Sequence, residues 1–207
     1  MSSPLEKIVI EPSSQATACV IWLHGLGDSG AGFAPIVPVL NLPNDHAIRF
    51  VFPHAPEQAV TINNGYVMRS WYDIKSMDLH NRADMAGVEA SELLVRALIQ
   101  EQIASGIPAN KIVLAGFSQG GVVALHLGTR YENTLAGIMS LSSYMCEPEN
   151  LASQAHSANK NTSIFVAHGL QDDVVPMIMG NAAFKTLESN GYPVSWKEYM
   201  MQHNVCM

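Results

Sequence analysis

Apolar residues follow two rhythms along this chain. Short, nearly continuous runs recur at Lys7–Ile10, Ala18–Leu23, Ile48–Phe52, Lys111–Gly116, Ala136–Ser142, Thr162–His168 and Val194–Met200. Each has the length of a strand, and the nearly unbroken apolar character of Ala18–Leu23 fits a strand covered on both faces. Between them lie stretches with helical spacing. From Asp84 to Gln102, Met85, Val88, Leu93, Leu94, Val95, Leu98 and Ile99 fall largely on one face, with Glu89, Glu92 and Arg96 outside it. Ser105-Gly106-Ile107-Pro108 ends that helix. Gly120–Arg130 and Met177–Asn190 predict two more helices, and residues 30–40, with two prolines, a short one. Strand and helix in alternation imply βαβ crossovers, hence an α/β protein whose mainly parallel central sheet is flanked by helices. No repeat or linker-like stretch divides residues 1–207, so one domain is expected.

Composition narrows the partners. The chain of 207 residues has 11 Lys plus Arg against 18 Asp plus Glu, a net charge of −7. Without a basic run, that balance argues against nucleic acid or an anionic membrane. The 48% hydrophobic and 14% charged content excludes a disordered chain. Cys19, Cys146 and Cys206 lie far apart with no metal-ligand spacing. Neither a disulfide framework nor a metal site is expected, and the usage suits a reducing, cytoplasmic setting. The start, Met1-Ser2-Ser3-Pro4, lacks the apolar core of a signal peptide. Residues 112–129 carry no formal charge, yet their glycines, serine and glutamine predict strand, turn and helix rather than a transmembrane segment.

The chemistry concentrates in Gly116-Phe117-Ser118-Gln119-Gly120, between an apolar strand and a helix. Glycines two positions either side of a serine permit a turn tight enough to lift its Oγ off the sheet, which makes Ser118 the candidate nucleophile. A serine needs a base, and the base an orienting acid. In this kind of fold the order is serine, acid, histidine, and His203 alone among the histidines follows the candidate acids. Those are Asp172 and Asp173, directly after a buried strand; register does not choose between them. His168 reads as a strand-end histidine packed under that loop, and His24 as shaping a loop. An oxyanion needs two backbone N–H donors. Gln119 is the candidate for one and Leu26, in the Gly25-Leu26-Gly27 turn, for the other.

Five motifs then stand in a familiar order: His24-Gly25-Leu26-Gly27-Asp28, Ser70-Trp71-Tyr72-Asp73-Ile74, Gly116 to Gly121, His168-Gly169 through Asp172 to Val175-Pro176, and Met201-Gln202-His203. From about residue 8 onward the chain resembles the acyl-protein thioesterase/carboxylesterase family of α/β-hydrolases, its bacterial esterases in particular. The resemblance implies Ser118, Asp172 and His203 as the triad, with Leu26 and Gln119 as oxyanion donors. It also implies that residues 62–78 form a lid or channel wall, with Trp71, Met68 and Met77 as candidates for lining an acyl site. The family continues into a final helix, whereas this sequence stops four residues after His203. The expectation is apolar sheet left open, a mobile His203, a tendency to homodimerise, and lower activity and stability than a form extended by a helix.

The expected activity is cleavage of carboxylic esters or acyl thioesters through an acyl-enzyme on Ser118, with no cofactor. Small ester or acyl-chain substrates, lysophospholipids and S-acylated proteins share the carbonyl chemistry. A peptidase or dienelactone-type hydrolase on the same fold is a second reading, although the latter usually carries cysteine as its nucleophile. A binding protein, disabled by loss of the final helix, is the non-enzymatic one.

Overall fold

The structure is a computed structural model and describes residues 5–76 and 82–205. Nine strands alternate with helices: β1 Lys7–Ile10, β2 Ala18–Leu23, β3 Ile48–Pro53, β4 Glu57–Val60, β5 Tyr66–Arg69, β6 Ile112–Phe117, β7 Gly137–Leu141, β8 Ile164–Gly169 and β9 Val194–Tyr199. The helices are α1 Gly30–Phe33, α2 Met85–Ala104, α3 Gln119–Arg130, α4 Leu151–Gln154 and α5 Met177–Ser189. Seven strands form one sheet in the order β1-β3-β2-β6-β7-β8-β9. All neighbours in it run parallel except β1, which lies antiparallel to β3. This is the expected α/β architecture, an α/β-hydrolase sheet.

Burial explains the strands. Ile21, Leu23, Val51, Phe52, Ile112 and Leu114 have no accessible surface, since helices cover the middle of the sheet on both sides. α3 is buried along nearly its whole length and packs on β6 and β7. α2 starts at Asp84, whose carboxylate caps the Gly87 N–H. It buries Val88, Val95, Leu98 and Ile99 but leaves Leu93 exposed, so the apolar stripe is narrower than the sequence implied. Glu92 is half-buried and bonds Arg96 and His126. The region of residues 30–40 splits into α1 and a 3-10 turn.

The hairpin of β4 and β5 is the element the sequence pattern did not announce. Its strands have only four residues each, too few for an alternation to register. Its turn did carry a local signal in Asn64-Gly65, both at positive φ (55° and 76°). The Gly27 N–H donates to the carbonyl of Arg69 at 2.9 Å, fixing the hairpin's base beside the loop after β2.

Parallel order carries the carboxyl ends of β2, β6, β7, β8 and β9 to one edge. Close approach at that edge requires missing side chains: a Cβ on Gly116 would lie 2.2 Å from the Gly120 carbonyl oxygen, and one on Gly120 2.4 Å from that of Leu23. Gly116→Ala is therefore expected to cost about 3 kcal/mol or more by overpacking. Gly65→Ala, strained in φ but with open space around it, should cost about 1 kcal/mol. Thermal midpoints of the two variants check this; equal losses would contradict the tight junction.

Candidate active site

Ser118 is the single residue between β6 and α3. Its backbone lies at φ 52° and ψ −119°, a sparsely populated region that costs about 1–3 kcal/mol. Surrounding bonds hold it there. The Ser118 N–H donates to the Leu141 carbonyl (2.8 Å), and its own carbonyl accepts from the Gly121 N–H (3.0 Å) and the Ser143 hydroxyl (2.7 Å). The hydroxyl thus stands at the N-terminus of α3, where the helix dipole favours developing negative charge.

His203 follows β9 and brings Nε2 to 2.9 Å from Ser118 Oγ, with Nδ1 2.7 Å from Asp172 Oδ2. A carboxylate on Nδ1 makes that nitrogen the donor, so Nε2 is left to accept the serine proton. The other carboxylate oxygen of Asp172 accepts the N–H groups of Val174 (3.0 Å) and Val175 (2.8 Å). Asp172 is buried while Asp173 is exposed, which separates the two aspartates that register left open.

Backbone bonds tie the segment before His203 to the loop after β8. Gln171 N–H donates to the Met201 carbonyl (3.1 Å), and Leu170 N–H to that of Tyr199 (2.8 Å). A Cβ at Gly169 would meet the Met201 carbonyl oxygen at 2.4 Å. The loops bearing Asp172 and His203 are thus bonded to each other, and the Phe117 ring packs 4.8 Å from the imidazole.

The remaining predicted residues fall in different places. Gly25 lies against Ser118, its imagined Cβ 3.4 Å from that of the serine, so the turn bearing Leu26 borders the nucleophile. Among the described residues, the backbone N–H groups of Leu26 and Gln119 donate to no backbone acceptor. Met68 sits beside that turn, its sulfur 3.6 Å from the Cβ position of Gly27. Trp71, expected to line an acyl site, is instead core: it is 1% exposed and gives its indole N–H to the His24 carbonyl at 2.9 Å. Met77 lies outside the described residues. Sequence reasoning missed Ser143, for which nothing local gives a signal, and the side chain of Gln119, since only its peptide N–H was sought.

Among the described residues a cavity of about 940 Å³ opens between residues 82–86, the loop 144–149 and α5. Tyr144, Met145, Ile178, Met179 and Ala183 form much of its apolar wall, and neither Ser118 nor His203 lines it. Tyr144 follows Ser143, the residue bonded to the Ser118 carbonyl. Arg82, also in the wall, donates to the Val174 carbonyl of the acid loop (3.1 Å).

The phospholipase/carboxylesterase family model matches residues 5–207. The chain belongs to that family. Its members are carboxylic-ester hydrolases, and this chain is one by reaction class. The acyl-protein thioesterase 1 of Gibberella zeae is 36% identical over 96% of this chain and 88% of its own length. That of Neurospora crassa is 38% identical over 97% and 85%. Among solved structures, Arabidopsis thaliana SOBER1 superposes with a TM-score of 0.86 at 33% identity, covering 91% of each chain. Zea mays acyl-protein thioesterase 2 does so at 0.82 and 27%, covering 97% and 92%.

Two histidines, His24 and His168, are fully buried in the core. His24 accepts the Ala55 N–H on Nε2 (3.0 Å), and His168 gives Nε2–H to the Val175 carbonyl (2.7 Å). Burial lowers the pKa of both. A histidine held neutral when folded but free to protonate when unfolded stabilises above its unfolded pKa, near 6.5. That contribution is lost as pH falls below this value toward the lowered folded one. Urea midpoints should therefore be flat between about pH 7 and 8 and fall toward pH 5. His168→Gln should be less stable at neutral pH but have a shallower acid slope; an unchanged slope would contradict the burial argument.

Proposed function

We propose that this hydrolase cleaves acyl esters and thioesters through an acyl-enzyme on Ser118, with His203 as proton carrier and Asp172 as its orienting acid. The observation that carries this reading is the continuous pair of bonds from Ser118 Oγ through the His203 imidazole to Asp172. His203 Nε2 takes the serine proton as Oγ attacks the carbonyl, then returns it to the departing alkoxide or thiolate. The same nitrogen next activates water, which releases the carboxylic acid and restores the serine. Asp172 holds the imidazole in the required tautomer and stabilises its cation.

The peptide N–H groups of Leu26 and Gln119 would take the charge on the tetrahedral oxygen. Supporting this are Gly25 packed on Ser118 and the lack of a backbone acceptor for either N–H among the described residues. No metal or organic cofactor enters these steps.

The substrate we favour is an S-acylated protein or a related acyl ester. It rests on relatives named acyl-protein thioesterase 1 at 36% and 38% identity. A cytoplasmic setting is in keeping with the free, buried Cys19 and Cys146.

Hydrolysis of nitrophenyl esters and acyl thioesters from acetyl to dodecanoyl tests the proposal. Activity should rise with chain length and vanish in Ser118→Ala. A folded wild type inert on every substrate would favour a binding role instead. Asp172→Asn should lose on the order of 10⁴-fold in kcat, whereas Asp173→Asn should stay within about 3-fold, as for an exposed loop carboxylate. Equal losses would remove Asp172 from its assigned place.

A further inference from the structure

The carboxamide of Gln119 is buried beneath the site, and the mechanism above uses none of it. Its oxygen accepts the Trp71 N–H at 2.8 Å. Its nitrogen donates to the Ser70 hydroxyl at 2.8 Å and to the Tyr72 carbonyl at 2.6 Å. The partners fix which end is which: a peptide N–H can only donate and a carbonyl only accept. Both amide hydrogens and the amide oxygen are thus committed to three consecutive residues.

That segment reaches across to the other side of the site. The Trp71 indole N–H donates to the His24 carbonyl (2.9 Å), and the Arg69 carbonyl accepts from Gly27 N–H (2.9 Å). Within that turn, Ala55 N–H occupies His24 Nε2, so Nδ1 carries the proton and donates to the Gly25 carbonyl at 2.7 Å. Ser91 on α2 bonds the Trp71 carbonyl from behind. Residues 69–72 are therefore tied by hydrogen bonds both to the residue after the nucleophile and to the turn that contains Leu26.

We infer that the Gln119 side chain is a positioning residue, a clamp that through Ser70, Trp71 and Tyr72 sets the Gln119 N–H relative to the Leu26 N–H. The inference rests on the oxyanion assignment made above. The requirement is geometric: oxyanion donors act at 2.7–3.1 Å from where the charged oxygen will stand, and not where the ground-state carbonyl lies. A clamp that fails would penalise the transition state more than substrate binding.

The test compares wild type with Gln119→Met, Trp71→Phe and their double variant, normalising kcat to serines titrated by a fluorophosphonate. Gln119→Met keeps the side-chain length and deletes all three bonds; Trp71→Phe deletes the indole bond to His24, and some buried packing with it, while sparing the Trp71 N–H bond to Gln119. For Gln119→Met, kcat per titrated serine should fall about 10–100-fold, short of the loss on deleting an oxyanion donor outright, with KM within about 2-fold. Affinity for a trifluoromethyl ketone, which forms a serine-bound oxyanion, should fall by the same factor as kcat/KM. The two substitutions should be less than additive, because they break one chain of bonds.

A merely structural role predicts fewer titratable serines with unchanged kcat for each, and that result overturns the inference. So do additive losses, or ketone affinity that does not follow kcat/KM. If Gln119→Met does not fold, Trp71→Phe and Ser70→Ala give the same readouts, and wild-type kcat and ketone affinity in both would overturn it. Failure of the serine reading itself is distinguishable: wild type would then show no hydrolysis that Ser118→Ala abolishes.

Discussion

A serine held at φ 52° and ψ −119° between a strand and a helix dictates what its neighbours can be. Gly116 and Gly120 must lack Cβ atoms because each faces a backbone oxygen at 2.2–2.4 Å. The same constraint reaches into the adjoining strand end, where Ser143 bonds the carbonyl turned out by the sharp backbone. It reaches also into the loop after β2, where Gly25 lies flat on the serine. Strain at one residue is thus balanced by packing from three separate parts of the chain, which is how such conformations persist.

Asp172 and His203 obey a different logic. Each comes from a loop with little side-chain burial of its own, and they are held by bonding to each other. Backbone pairs between residues 170–171 and 199–201 hold the loops together. Two peptide N–H groups on one oxygen of Asp172 leave its other oxygen for the imidazole. The precise side is therefore hydrogen-bonded rather than hydrophobic, while the serine side is sterically packed.

This difference explains what the sequence revealed. The steric side is written in residue identity: glycines around Ser118, and apolar runs that became β2, β6 and β8 almost residue for residue. His203 was legible from chain order alone. Asp172 and Asp173 were not separable by pattern, because the path of the loop decides which one turns inward. Hydropathy could not say that Trp71 faces the core, since an apolar residue satisfies either a pocket or an interior; its indole N–H, bonded to the His24 carbonyl, is what placed it. The four-residue strands of the hairpin were too short to give a period.

Among the described residues β9 lies at the outer edge of the sheet and pairs with β8 alone. The strand that delivers the imidazole therefore has half the ladder of the strand that delivers the serine, which is paired on both sides. Amide hydrogen exchange would sense this as two layers of protection, a slow centre around β6 and a faster rim at β9. Local opening of that rim would part His203 from Ser118 while β6 keeps its ladder. On the proposed mechanism, turnover would then fall on warming before the core melts.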